Sequence, residues 1–408
     1  MSTILDDEEI VNEYNLSDFQ IFVDNFKATN IWKNMQATVE NSPWHREDNV
    51  ALHTEMAIGE AVKILDVEYP AGSIQNDRMR ILVTLALLFH DTGKPEAETE
   101  KESEERGVYR SYAGHEQMSA RVFESYAIDN WAELSHIITP WDVFTVTWMI
   151  EHHLPYSLKQ PQKVKALASG LKTLFKDGAI DTFYIMLRGD TSGRISDNWD
   201  TNYQNMMAWI DDMKQQVASL SEYEEGTFDT MSQHKRLIVL IGAPGSGKST
   251  IRNIMSEDMV VFSLDDLRVE YLKSHPTFDQ SQQQTPDDIY RQAFALSCTD
   301  SGFAKFSNDR LNTLFKFHDS VIVDNTNTSI KTRKQYLELA HKHKFTTMAY
   351  YVPASLNLLI NRNNTRTDKT LSVDAIVRLY NSIALPSQGE FAEFDAVYVM
   401  THNFWAIE

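Results

Sequence analysis

The sequence has almost no cysteine: Cys298 is the only one. That excludes a disulfide framework and a cysteine-based zinc site within one chain, and it fits a reducing cytosol, so a cytoplasmic location is expected. Long apolar runs are missing too. None approaches the roughly 18 residues of a membrane span, so no membrane partner is expected. The first residues, MSTILDDEEIVNEYN, are acidic and read as neither a signal nor a transit peptide. Positive charge is in short supply. The formal net charge is −20, and residues 235–408 hold as many Lys+Arg as Asp+Glu, so the whole deficit falls in residues 1–234. Such a balance argues against nonspecific wrapping of a long nucleic acid and leaves room only for a local basic groove that takes one end. No internal repeat or low-complexity tract stands out.

What is present is globular. The chain has 408 residues, 42% of them hydrophobic, enough for two or three domains with sizeable cores. Up to about residue 218 the pattern is helical. VALHTEMAIGEAVKIL, RMRILVTLALLFHD and GHEQMSARVFESYAI place apolar residues three and four apart. Residues 219–236, SLSEYEEGTFDTMSQHKR, are polar and aperiodic and read as a linker. From residue 237 short apolar runs alternate with helical stretches: RLIVLIG, MVVFSLDD, HDSVIVDN and KFTTMAYYV are strands, and KTRKQYLELAHKH is a helix. The expected architecture is therefore an all-α domain (1–218), a linker (219–236) and an α/β domain with a parallel sheet (237–408).

Gly242-Ala243-Pro244-Gly245-Ser246-Gly247-Lys248-Ser249-Thr250 fits GxxxxGK[ST], with a strand before it and a helix after it. Such a loop turns backbone N–H groups inward around phosphate oxygens. Lys248 would reach the β- and γ-phosphates of ATP or another NTP, and Ser249 would ligate Mg²⁺. Further elements fall at strand and helix ends beyond it. After the second strand come Asp265, a carboxylate able to take a proton from a hydroxyl, and Arg268, able to bind an acceptor phosphate. Helix-capping aspartates would look the same. Asp324-Asn325-Thr326-Asn327 closes another strand, and either Asp324 or Asn325 can supply a polar group there. Arg362 and Arg366, four apart, share one helix face and can close over a triphosphate.

A second constellation lies in the helical half. His90-Asp91 ends an apolar helix and is followed by Gly93 and Lys94, which can neutralise a substrate phosphate. His53, His115, the adjacent pair His152 and His153, and Asp190 accompany it, each on a separate predicted helix. Helices can bring such residues together in a bundle core. Imidazole with carboxylate suits Mn, Fe, Co, Ni or Zn. His45 and His136 fit no slot in this pattern and read as structural.

Two resemblances organise these motifs. Residues 237–385 resemble the kinase domain of phage-type polynucleotide 5′-kinases, which carry GxPGSGKST, DDxR, a [DN]TN element and an R-x₃-R lid in that order. The resemblance implies Asp265 as general base on a 5′-hydroxyl, Arg268 on the acceptor's 3′-phosphate, and Arg366 as the lid arginine with Arg362 beside it. This chain has Asn325-Thr326-Asn327 where the phage enzymes have DTN. Residues of about 50–195 resemble the HD phosphohydrolase superfamily through the order H…HD…H…H…D, with HDTGKP, GHE and EHH most like the HD domains attached to tRNA nucleotidyltransferases. The full ligand set implies two divalent transition metal ions able to activate water and clamp a phosphate ester. An HD domain ahead of such a kinase is similar to the HD-domain polynucleotide kinases. That resemblance implies healing of RNA ends for a separate ligase: phosphorylation of 5′-hydroxyls, and hydrolysis of 2′,3′-cyclic phosphate and of 2′- or 3′-phosphate ends. RNA as the substrate comes from the resemblance alone, and DNA ends stay open. Two other readings fit the motifs: a nucleotide phosphohydrolase fused to a small-molecule or nucleoside kinase, and an ATP-gated regulatory or nucleic-acid-binding protein with silent sites.

Overall fold

The computed structural model describes residues 14–42, 45–103, 107–154, 161–174, 179–196, 199–220, 235–276, 278, 284–389 and 392–405. The chain divides into two compact units, one helical and one built on a five-stranded sheet. Most of the expected linker, residues 221–234, lies outside the described residues; Ser219 closes a helix and Arg236 opens a strand. None of the described helices is long and apolar enough to cross a membrane.

The helical unit is centred on the helix Ile74–Phe89, whose second half, Leu85 to Phe89, is buried without interruption. A helix hydrophobic all round belongs at the middle of a bundle. Around it lie Val50–Glu68, His115–Asp129, Pro140–Glu151 and Ala179–Ser192. Side-chain caps fix where several of them begin: Asn49 accepts from Leu52 N, Ser73 from Asn76 N, and Thr139 forms a capping box with Asp142. Two small antiparallel hairpins join the helices: Val39–Ser42 with His45–Asn49, and Thr99–Ser103 with Gly107–Ser111. The sequence reading placed no strands here. These strands are polar, so they lack the alternation that announces a half-buried strand.

One helix pair is unusually close. Along Val50–Glu68, His53, Ala57 and Ala61 recur every four residues and share a face. Gly189 and Gly193, flanking Asp190, meet that face. A Cβ on Gly189 would sit 2.7 Å from Ala61 Cβ and 2.9 Å from Ala57 O; one on Gly193 would sit 2.5 Å from Ala57 N. The small residues let the backbones touch, and this fixes the distance between the side chains of His53 and Asp190.

The second unit is an all-parallel sheet: Arg236–Ile241, Val260–Phe262, Ser320–Asp324, Thr346–Tyr351 and Ala396–Val399, here β1 to β5 of this unit. Their spatial order is β2-β3-β1-β4-β5. The first four match the expected strands; Ala396–Val399 was not anticipated. β1 is central and buried from Leu237 to Ile241, and the order reverses beside it. In open parallel sheets ligands bind outside the carboxyl ends of the strands at such a point. Behind the sheet, the fully buried Arg333 donates to both carboxylate oxygens of Glu393 (2.9 and 2.5 Å) and to the carbonyls of Asn327 and Ala384 (3.1 and 2.9 Å).

Two stability outcomes follow. In a helix interior alanine outranks glycine by about 1 kcal/mol, so propensity alone would make Gly189→Ala stabilising. Overpacking against a backbone carbonyl costs about 1–3 kcal/mol. We therefore expect a lower denaturant midpoint for the helical unit; a raised midpoint would contradict the close approach. Arg333→Met removes a fully buried guanidinium and with it the bidentate pair to Glu393 and the bonds to the carbonyls of Asn327 and Ala384, and we expect the sheet unit to lose about 3 kcal/mol in the same measurement.

Candidate functional site

The helical unit gathers six of the expected metal ligands. His53 comes from the helix Val50–Glu68. His90 and Asp91 follow Phe89, His115 opens its helix, His153 follows Glu151, and Asp190 lies in the last turn of its helix. All six are buried. Asp91 stands between two groups. Its Oδ2 lies 3.1 Å from His90 Nε2 and 3.7 Å from His53 Nε2; its Oδ1 lies 3.1 Å from His115 Nε2 and 3.9 Å from His153 Nε2. Asp190 Oδ1 completes the first group, 3.1 Å from His53 Nε2 and 3.7 Å from His90 Nε2, while its Oδ2 is engaged by Arg194.

The other ring nitrogens determine what these can do. His90, His115 and His153 each direct Nδ1 at a backbone carbonyl, that of Leu87 (2.6 Å), Tyr112 (2.7 Å) and Ile150 (2.7 Å). A carbonyl oxygen only accepts, so in these three rings Nδ1 carries the hydrogen. Their Nε2 lone pairs are then left facing inward. His115 Nε2 and His153 Nε2 lie 3.2 Å apart, and His90 Nε2 and His53 Nε2 3.3 Å apart. In the His115–His153 pair, two lone pairs at that range need a proton or a cation between them. The donor set, imidazole nitrogen plus carboxylate oxygen, suits a divalent transition metal.

The surrounding charges are tightly paired. Burial works against the charged form of Asp91, but His90 and Lys94 hold its carboxyl well below the usual range; Asp190 is held low in the same way against burial, chiefly by Arg194. Burial also opposes protonation of His53, yet Asp190 and Glu47 raise it to about 9. His153, buried beside His115 and His90, is pushed down to about 3.

The structure separates the two adjacent histidines. His152 caps the helix, turns Nδ1 to Trp148 O (2.9 Å) and stacks on the Trp148 ring at 4.1 Å. It is outside the cluster, and His153 is inside, because the helix ends at Glu151 and the next two residues leave in different directions. Lys94 is also placed differently from the expectation of an open phosphate contact. It is buried, with Nζ 2.5 Å from Glu40 Oε1 and 2.8 Å from Asp91 Oδ2, and the two carboxylates hold its ammonium well above the usual range against burial. His45, taken as structural, lies beside the cluster, its ring 4.8 Å from that of His53 and its Nδ1 3.4 Å from Glu47 Oε2. Glu40, Glu47 and His45 escaped the sequence reading because they sit in a polar hairpin with no motif.

In the sheet unit the loop between β1 and the helix Lys248–Met255 has Gly245 and Gly247 at φ +88 and +106, a region that favours glycine. Lys248 is buried and donates to the carbonyls of Gly242 and Ala243, both at 2.8 Å. Burial pushes its pKa down to about 8, with Asp324 and Asp265 opposing and Arg366 reinforcing the shift. Ser249 and Thr250 are exposed at the helix start, while the Ser246 hydroxyl is buried without a partner. The loop is braced from the far end of the chain: Asn403 Nδ2 donates to Ser246 O (2.8 Å) and Pro353 O (2.6 Å), and a Cβ on Gly247 would lie 2.6 Å from His402 Nε2.

Asp265 opens the helix Leu264–Ser274 at the same sheet edge. Its Oδ1 accepts from Arg268 at 2.7 Å and from the Tyr290 hydroxyl at 3.2 Å, and its Oδ2 lies 3.4 Å from Lys369 Nζ. Burial and Asp265 together push Tyr290 up to about 12. Arg268 also lies over the rings of Phe294 and Phe303. Asp324, half-buried, faces Arg252 at 3.2 Å; burial raises its pKa while Lys248 and Arg252 oppose. Asn325 is a latch instead: Oδ1 accepts from Leu264 N at 2.9 Å and Nδ2 donates to the Tyr336 hydroxyl at 3.2 Å. Of this pair, Asp324 is the one that faces a cation, Arg252.

The two lid arginines do not share a helix face. The helix Leu356–Thr365 carries Arg362, whose guanidinium donates to Gly245 O at 3.0 Å. Arg366 is already past the helix, in extended backbone. The stop has a cause: Asn363 clasps Leu371 through two hydrogen bonds and bends the chain back. Tyr290 and Lys369, missed in the sequence, reach Asp265 from 25 and 104 residues away.

Residues 237–378, which hold the loop, Asp265, Asp324 and both arginines, match the AAA domain family. The L-seryl-tRNA(Sec) kinase of Methanococcus maripaludis is 27% identical over 154 residues, covering 37% of this chain. The match spans 53% of that kinase, about half its length. The crystal structure of TT1252 from Thermus thermophilus overlaps 42% of this chain and 94% of that chain, at 17% identity and a TM-score of 0.24. The α/β unit of this chain is a phosphate-loop, kinase-like domain.

Proposed function

We propose that this chain heals nucleic-acid ends, RNA in the first place, with a 5′-hydroxyl kinase in residues 237–408 and a metal-dependent phosphohydrolase of HD type in residues 1–218. One observation carries the reading: Asp265, with Arg268 bound to it, stands at the sheet edge that also holds Lys248. A donor cradle and an acceptor-side base at one edge are what phosphoryl transfer to a hydroxyl requires. The similarity to a kinase named for L-seryl-tRNA(Sec) accords with an acceptor carried on RNA.

In the kinase, the loop N–H groups and Lys248 hold the donor phosphates of ATP or another NTP. Asp265 takes the proton from the acceptor hydroxyl as its oxygen bonds to the γ-phosphorus and the bond to the β-phosphate oxygen breaks. Arg268 holds a phosphate on the acceptor. Arg362 and Arg366 offset charge on the transferring group. Ser249 would hold Mg²⁺, which would supply further charge neutralisation when bound.

In the hydrolase, His53, His90, Asp91 and Asp190 would hold one divalent ion, and Asp91, His115 and His153 a second; the first three and last three of these form compact groups of the kind that bind metals. Such ions supply water activation and a clamp on the phosphate ester. Lys94 orients Asp91 between the two groups. The products, a 5′-phosphate and an end freed of its terminal phosphate, suit a separate ligase.

Three outcomes test the reading. With labelled ATP, Mg²⁺ and a 5′-hydroxyl oligonucleotide, Asp265→Ala is expected to lose transfer by about 10²–10⁴-fold. Transfer that survives removes Asp265 as base, and transfer to a free nucleoside but no oligonucleotide favours a small-molecule kinase. On a 2′,3′-cyclic phosphate end with Mn²⁺, Ni²⁺ or Co²⁺, His90→Ala and Asp91→Ala are expected to be inactive and Lys248→Ala unimpaired; full activity in His90→Ala sinks the hydrolase. The free loop leaves the Lys248 amine neutral above about pH 8, whereas bound phosphates favour the ammonium. ATP affinity should fall as pH rises through 8, with proton uptake on binding, read by calorimetry in buffers of different ionisation enthalpy.

A further inference from the structure

The four histidines of the cluster are not held alike. His90, His115 and His153 each anchor Nδ1 on a neutral backbone carbonyl at 2.6–2.7 Å. His53 has no such carbonyl. Its Nδ1 is buried without a hydrogen bond and faces Glu47 Oε1 at 3.7 Å. Glu47 is itself buried, 1% exposed. Oε1 accepts from Ile195 N at 2.6 Å, which ties the carboxylate to the segment just past Asp190 and Arg194. Oε2 is buried without a hydrogen bond, 3.4 Å from His45 Nδ1. The strand His45–Asn49 is held at that place by Arg46 N, which donates to Ile195 O at 2.9 Å.

A buried carboxylate oxygen that keeps a second lone pair beyond the one given to Ile195 N, facing an imidazole whose rear nitrogen is unpartnered, is the arrangement by which a second carboxylate fixes the tautomer of a metal-binding histidine and makes it a stronger donor. We infer that Glu47 is a positioning residue for His53: it accepts from the His53 Nδ1–H, turns Nε2 toward Asp190 and His90, and strengthens binding of a divalent transition metal in that half of the cluster. The other half, anchored on neutral carbonyls alone, binds more weakly. The two metal positions are therefore unequal by construction. His45 flanks Glu47 and is not a ligand. This inference rests on the proposed metal reading of the cluster.

The test uses the whole chain, stripped of metal and titrated with Mn²⁺, free ion being read by electron paramagnetic resonance. Glu47→Gln keeps an oxygen for Ile195 N–H and removes the charge. We expect the tighter step to weaken about 10–100-fold with two equivalents still bound at saturation, and His45→Phe to leave the tighter step in place. Proton spectra of the Co²⁺-loaded protein should show four exchangeable ring N–H signals, one of which moves in Glu47→Gln while three stay. Should that variant not fold, the unaltered protein decides, since only three signals would mean His53 Nδ1 carries no hydrogen and would overturn the role. Unchanged affinity in Glu47→Gln, with binding lost in His90→Ala, overturns the role of Glu47 and leaves the metal reading standing. Loss of one whole equivalent in Glu47→Gln or His45→Phe makes the trio His45, Glu47 and His53 a metal site in its own right and also overturns it. No binding by the unaltered protein overturns both readings.

Discussion

The cluster in the helical unit depends on two helix backbones being in contact. Ala57 and Ala61 on one side and Gly189 and Gly193 on the other leave no room for a further carbon. His53 lies one turn from Ala57, and Asp190 lies next to Gly189, so the contact converts directly into the 3.1 Å between His53 Nε2 and Asp190 Oδ1. The remaining ligands arrive by a different route. His90 and His153 follow helix ends and His115 opens a helix, and each ring is oriented by directing Nδ1 at the backbone carbonyl three residues before it.

The two units manage charge in opposite ways. In the helical unit the strongest charges near the cluster are paired: buried Lys94 with Glu40 and Asp91, and Arg194 with buried Asp190. A buried charge left single would cost several kcal/mol, so the network stands or falls together. In the sheet unit the important charges are partly open. Asp265, Arg268 and Lys369 hold one another loosely at distances of 2.7 and 3.4 Å, each able to exchange a protein partner for a substrate group. Closed and matched groups suit a permanent guest such as an ion. Open ones suit reactants that come and go.

How much of this was legible in the sequence depended on how local the determinant was. The phosphate loop is a nine-residue pattern, and its strand and helix flanks were where the pattern put them. The order of histidines and aspartates along the helices was also readable, because each lies at a recognisable helix position. Sequence could not choose between His152 and His153, since that choice turns on which residue ends the helix. It placed Arg366 on a helix that Asn363 cuts short. It passed over Glu40 and Glu47, which lie in hairpin strands without apolar alternation, and over Tyr290, Lys369 and Asn403, whose partners are far along the chain. The strand Ala396–Val399 escaped because four residues beyond the recognised motifs carry little signal.

Asn403 reaches back 157 positions to Ser246 O and 50 positions to Pro353 O, and so ties the phosphate loop to a distant part of the chain. During synthesis the loop is made before its brace, which arrives only after the strand Ala396–Val399 has been translated. Until then the loop has its glycines but not its backing. A nascent chain thus cannot hold nucleotide in its finished manner, and nucleotide retention becomes a marker of completed folding in this unit. Shortening the chain before Thr401 would leave every motif intact and still disarm the cradle.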